Sequence, residues 1–209
     1  MCSSDLVGEH RFRRAVEIAG FPVQITFRPF QLNPDATLEP RPVLDYLRER
    51  FGPQADAAHA TVAHMAHEEG LRFLAGEQLV VNTFDAHRLL RFTLMEHGAD
   101  KQAALMRRLF EAHFAERANV ADHQTLAALA ESVGIDAART RTLLESDDGK
   151  TEVQAELAQA LDVGVRAVPT FVVAERYAVQ GAQPVETFAR VLQQISQQIA
   201  AGSLQRTLH

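Results

Sequence analysis

Apolar residues recur at helical spacing from Val7 to Ala19, where Phe12, Ala15, Val16 and Ala19 alternate with Arg11, Arg13 and Arg14. Gly20 predicts the C-cap of that helix. The period then drops to two: Val23-Gln24-Ile25-Thr26-Phe27 reads as a strand with one buried face, closed by Arg28-Pro29. Phe30 to Asp35 follows as a loop with an Asn33-Pro34 turn signal. The middle of the chain returns to helical periodicity over residues 42–51, 56–69, 84–97, 101–115, 123–133, 137–144 and 150–161. Phe84, Leu89, Phe92 and Met95 are apolar positions of the third of these, and Ala104, Leu105, Leu109 and Phe110 point the fourth inward. Breaks fall at Gly, Asn or paired Asp. Two short apolar runs, Thr170–Val173 and Tyr177–Gln180, have hairpin spacing. Gly181-Ala182-Gln183-Pro184 then leads into a helix over 185–200, and the tail after Gly202 reads as frayed. The order is helix, strand, helical block, hairpin, helix.

A chain of 209 residues with this order is one large domain or a domain carrying an insertion. Its hydrophobic content of 46% supplies a core. A net charge of −6 argues against nucleic-acid and anionic-membrane partners, which need a basic surface. No apolar run reaches membrane-spanning length. Cys2 is the single cysteine, which excludes a disulfide framework and a thiolate metal cluster. With no secretory signal visible, a reduced, cytoplasmic setting is the expectation.

Val168-Pro169-Thr170, after Gly164-Val165-Arg166-Ala167, opens the first hairpin strand. A trans proline at the first strand position is the commoner arrangement, whereas a cis bond would leave the preceding backbone free to pair with an extended ligand. His59, His64, His67 and Glu68 share one helical segment, and a solvated face accounts for them better than a metal does. Asn82 and His87 flank the start of another helix, where His87 is expected to pack between helices. Glu131, Asp147 and Asp148 read as surface and capping charges.

Four dispersed segments carry a resemblance. Phe27-Arg28-Pro29-Phe30-Gln31-Leu32-Asn33-Pro34, Asn82-Thr83-Phe84-Asp85-Ala86-His87-Arg88-Leu89, Gly164 to Phe171, and Tyr177 to Pro184 resemble the DsbA-family thiol–disulfide oxidoreductases, in particular the FrnE-like branch. The likeness runs in order from about Gly8 to Ala200. It implies an α/β, thioredoxin-like fold over residues 7–40 and 162–202, with an all-helical domain, 41–161, inserted between the second and third strands. It also implies a Cys-x-x-Cys at the N-terminus of the first helix, whose partial positive charge favours the nucleophilic thiolate. The family's cis-proline maps onto Pro169, with Val168 and Thr170 as the substrate-binding neighbours. Protein or peptide thiols and disulfides are the implied partners, with glutathione as a further candidate; no metal and no cofactor is implied. The alternative is a glutathione-dependent isomerase or transferase of the 2-hydroxychromene-2-carboxylate isomerase or kappa-class type, which shares the fold and needs one serine or cysteine. A third reading is a binding module using only the Pro169 groove.

The departure from the family lies at the N-terminus. Cys2 falls on the first family cysteine and Asp5 on the second, giving Cys-x-x-Asp with no resolving thiol. Asp5 opposes thiolate formation and otherwise suits a helix N-cap. The bases GTG TGC TCT TCC GAT CT, the end of a common sequencing adapter, translate to Met-Cys-Ser-Ser-Asp-Leu when GTG is the start. Residues 1–6 are therefore expected to be adapter-derived, with the first strand and the true Cys-x-x-Cys upstream of Val7 and the chain inactive as it stands. Loss of a central strand leaves two ladder edges unpaired, so residues 7–209 are expected to fold poorly or aggregate.

Overall fold

The computed structural model describes residues 1–202; the predicted frayed tail lies outside the described residues. The elements run α1 (Ser3–Ala19), β1 (Arg41–Pro42), α2 (Val43–Phe51), α3 (Ala55–Glu68), β2 (Leu79–Val80), α4 (Phe84–His97), α5 (Ala99–Ala115), α6 (His123–Ser132), α7 (Ala137–Glu145), α8 (Lys150–Asp162), β3 (Thr170–Val173), β4 (Tyr177–Gln180) and α9 (Val185–Ala200). They form two compact units, one of residues 2–23 with the chain from Ala167, the other of residues 24–166. Among the described residues no helix is long and apolar enough to cross a membrane.

In the first unit α1 packs along α9, and β3 pairs antiparallel with β4 in the register Phe171↔Val179 and Val172↔Ala178. Strand alternation sends Phe171 to the helices and leaves Val172 59% exposed. Phe171 stacks on Phe12 of α1 with ring centroids 4.8 Å apart and meets Phe188 of α9 edge-on at 4.7 Å. Phe12 meets Phe188 at 5.3 Å, closing a three-ring core of the edge-to-face and stacked geometries that aromatic quadrupoles favour. On α9, Val185, Phe188, Ala189, Leu192 and Ile195 are buried, the i, i+3, i+4, i+7 stripe of an amphipathic helix. Gly20 takes the left-handed conformation at φ 74° and caps α1 through its N–H to the Val16 carbonyl.

In the second unit α4 and α5 form the centre, with Leu89, Leu105, Leu109 and Phe110 inside. Met95, one of the apolar positions of α4, is 68% exposed, because it lies on the far side of that helix from Leu89 and Leu90. Arg88 is buried to 1% exposure at its centre. Its guanidinium donates to the carbonyls of Leu143 (2.8 Å), Ser146 (2.9 Å) and Asp148 (2.8 Å) and to Asp85 (2.7 Å). It thereby caps the C-terminal end of α7, whose last carbonyls have no partner within the helix. Asp85 completes the cluster by accepting from His123 at 2.7 Å.

The predicted strand over Val23–Phe27 is not formed: residues 22–30 lie in no helix and no ladder. Alternation supplies a strand's two faces, but a strand also needs a neighbour for its backbone. Here the Gln102 amide takes that place at Phe27, accepting from its N–H at 2.9 Å and donating Nε2–H to its carbonyl at 2.9 Å. This anchoring, with Asn82 bonded to the carbonyls of Pro34 and Ala36, groups residues 24–40 with the helices. β1 and β2, each two residues long, pair Arg41↔Val80 and Pro42↔Leu79.

Candidate active site

The first unit gathers its chemistry at the N-terminus of α1. Cys2 holds the N-cap position in extended conformation, and the helix starts at Ser3, four residues before the predicted Val7. Asp5 is not the N-cap the sequence suggested. It sits in the first turn, where its N–H donates to the Cys2 carbonyl at 2.9 Å and its Oδ2 accepts the Cys2 N–H at 2.7 Å. That reciprocal pair satisfies donors a helix start leaves open. Burial pushes the Asp5 carboxyl above the usual carboxylate range, against the opposing pull of the chain's terminal amine and the Cys2 N–H. Cys2 Sγ lies 3.2 Å from Ser4 Oγ, and that hydroxyl donates to the Val168 carbonyl at 3.2 Å.

Val168–Pro169 is a cis peptide. Pro169 is buried against α1, and its carbonyl accepts from the Gly181 N–H at 2.8 Å. Thr170 turns its hydroxyl back to the Ala167 carbonyl at 2.7 Å, which fixes the loop. The structure thus brings Val168 and Pro169 to the first turns of α1, while the Thr170 side chain serves its own loop. Sequence reasoning missed two participants. Ser4 links the thiol to the proline loop, and Gly8 lets Pro169 approach: a Cβ on Gly8 would lie 2.7 Å from Pro169 Cγ. A glycine inside a helix is the signal that could have found it, since it costs stability unless close packing needs it.

The second unit carries an open groove of about 540 Å³ whose polar lining includes Gln31, Asn82, Asp85, Lys150 and Gln154. Asn82 is scaffold, with every polar atom engaged: its Oδ1 accepts from Gln31 Nε2 and the Phe84 N–H, and its Nδ2 donates to the Pro34 and Ala36 carbonyls. His87 packs in the interior, where burial holds its pKa down to about 3 even though the ring hydrogen-bonds the Phe30 backbone. Of the clustered histidines, His59 is buried and accepts the Gly76 N–H at 3.0 Å, while His64 faces solvent 3.4 Å from Glu68. Among the described residues no group of three or more His, Cys, Asp or Glu side chains converges as metal ligands would.

The description "DSBA-like thioredoxin domain" matches residues 2–193. The chain is 31% identical to the probable DsbA oxidoreductase SCO1869 of Streptomyces coelicolor, with a TM-score of 0.83 over 100% of this chain and 89% of that one. The chain belongs to the DsbA-like thioredoxin-domain family. The uncharacterized protein YwbO of Bacillus subtilis (strain 168) is 23% identical over 92% of this chain and 91% of its own length. A 2-hydroxychromene-2-carboxylate isomerase shares the fold at a TM-score of 0.72, over 96% of this chain and 94% of that one, with 13% identity. The fold of that family, thioredoxin-like with a helical insertion, agrees with a chain in which one compact unit carries α1, β3, β4 and α9 and the other carries the remaining helices. Cys2 is the one cysteine of these 209 residues, so no disulfide can form within them.

Proposed function

We propose that this DsbA-like chain is a form of a cytoplasmic thiol–disulfide oxidoreductase acting on protein or peptide substrates, and that as it stands it does not complete a catalytic cycle. One observation carries the reading: a thiol at the N-cap of α1 shares a hydrogen-bonded chain, through Ser4, with the carbonyl before Pro169. The helix N-terminus supplies partial positive charge to a thiolate there. The thiolate attacks one sulfur of a substrate disulfide, forms a mixed disulfide and expels the other sulfur as a thiolate, which takes up a proton. Val168 and Thr170 flank the groove that holds the substrate backbone, and Pro169 shapes it. Asp5 cannot resolve the mixed disulfide, so release requires an external thiol such as glutathione.

The test is turbidimetric insulin reduction with dithiothreitol as reductant. Because dithiothreitol itself must release the mixed disulfide, the chain is expected to give little acceleration over the reductant alone, and Asp5→Cys, which installs a Cys-x-x-Cys pair, to give at least a severalfold one. An Asp5→Cys variant that folds and forms its disulfide yet reduces no insulin overturns the oxidoreductase reading in favour of a binding module. The adapter origin of residues 1–6 is a separate proposal, overturned by genomic codons that encode Cys-Ser-Ser-Asp in frame. A second reading, a glutathione-dependent isomerase, is favoured by the single thiol. Glutathione-dependent turnover of 2-hydroxychromene-2-carboxylate distinguishes it.

A further inference from the structure

His87 presents a polar problem that the oxidoreductase reading does not use. Its ring is buried at 7% exposure, one nitrogen bonds the Phe30 backbone, and among the described residues Nε2 has no protein partner. A buried nitrogen left unbonded costs about 1–3 kcal/mol, so such atoms are nearly always satisfied by protein or ordered water.

The ring lines a cavity of about 40 Å³ between residues 27–29, α4, α5 and α8. A single water needs roughly 10–15 Å³ by that measure, so the space admits water and little else. Size alone does not hydrate a cavity, and much of this lining is apolar, including Phe27, Leu90, Leu94 and Met106. The polar part decides. Arg28, Arg91 and Glu156 line the same space, with Arg91 Nε 3.0 Å and Arg28 Nη1 3.4 Å from Glu156 Oε1. The walls therefore offer acceptors on His87 and Glu156 and donors on the two guanidiniums, the two to four partners a buried water requires. A cation is disfavoured by two arginines. An anion is disfavoured by a nitrogen lone pair and a carboxylate.

We propose that this cavity is a structural hydration site, in which an ordered water donates to His87 Nε2 and is held from the other side by the Arg28–Glu156–Arg91 cluster. The water then completes the anchoring of the ladder-less segment Phe27–Phe30. Gln102 holds its start, the His87 ring holds the Phe30 backbone, and the water ties Nε2 to the ion cluster that includes Arg28. A neutral ring with its proton on Nδ1 follows, because Nε2 must accept.

Nuclear Overhauser contacts between water and His87 Hε1, and imidazole ¹⁵N shifts, test the site on the full ¹⁵N,¹³C-labelled chain. The expected result is a contact of the sign that marks a long-lived water, an Nδ1–H tautomer, and a second contact from water to the Met106 methyl. In His87→Phe the Met106 contact is expected to vanish. Loss of the long-lived contact in the unmodified chain overturns the proposal, as does an Nε2–H tautomer. If His87→Phe does not fold, Glu156→Gln, at the half-buried far wall, is expected to shorten the water's residence severalfold; an unchanged residence also overturns it.

Discussion

One missing methyl group sets how closely α1 meets the Val168–Pro169 loop. Alanine is favoured over glycine in a helix interior by about 1 kcal/mol, so Gly8 is a liability by propensity alone. Its added Cβ would stand 2.7 Å from Pro169 Cγ and 3.3 Å from Phe171 Cζ, and both rings are held, one in the loop and one in the three-ring core. Overpacking of that kind costs about 1–3 kcal/mol. Gly8→Ala is therefore expected to lower stability by a net amount of up to ~2 kcal/mol in urea unfolding, the opposite sign from the propensity rule. A raised midpoint would mean that α1 and the proline loop do not meet this closely. The sequence places Gly8 in a resemblance to a family helix, but its contact partner is 161 residues away in sequence, and no local pattern reports that.

At the scale of elements, α7 depends on a side chain from α4. Arg88 places its charge in the interior and spends its donors on the carbonyls at the end of α7 and on Asp85. Removing one partner of such a buried ionic cluster strands the others. Arg88→Met is thus expected to cost about 3–5 kcal/mol by chemical denaturation. Arg88→Lys should restore little of it, since an ammonium cannot match the planar fork that reaches several carbonyls at once. A loss below about 1 kcal/mol would place Arg88 among ordinary surface cations. The same cluster shows where legibility in sequence ends. α4, α9 and the β3–β4 hairpin fall on the residues that periodicity assigned, because each writes its own period in consecutive positions. Nothing in the local sequence marks Arg88 as buried, since its burial is decided by α7 and the α7–α8 loop. Val23–Phe27 has the alternation of a strand, yet pairing is a property of two segments, and Gln102 on α5 supplies its hydrogen bonds instead. β1 and β2 are two residues each, too short to carry any period. At the N-terminus of α1, the Val168–Pro169 bend stands out in the sequence through its motif, whereas the parts played by Ser4 and Gly8 need the tertiary contacts.

Across the molecule, acid sensitivity is concentrated in the helical unit. His87 on α4 and His113 on α5 are held by burial at pKa values of about 3 and about 4, against 6.5 when exposed. His59 on α3 is shifted the same way. The unfolded chain binds these protons below pH 6.5 while the folded chain refuses them, so their contribution is complete above pH 6.5. It is lost as pH falls towards 4 and 3, at ~1.4 kcal/mol per pH unit for each histidine. The charged residues that line the cavity beside His87 are Arg28, Arg91 and Glu156. Asp5 works in the other direction. Its raised pKa gives stability below 3.8 that fades as pH rises, a contribution that cancels when the chain is compared with a histidine variant between about pH 5 and 6.5. His87→Gln combined with His113→Gln is expected to remove about one proton from the pH dependence of unfolding at pH 6.5 and close to two near pH 5, whatever it does to stability at pH 7. An unchanged slope would place the acid lability elsewhere. Because both histidines lie in residues 24–166, hydrogen exchange at pH 5 should show α4 and α5 losing protection before α1 and α9, whose Phe12–Phe171–Phe188 core contains no titratable group.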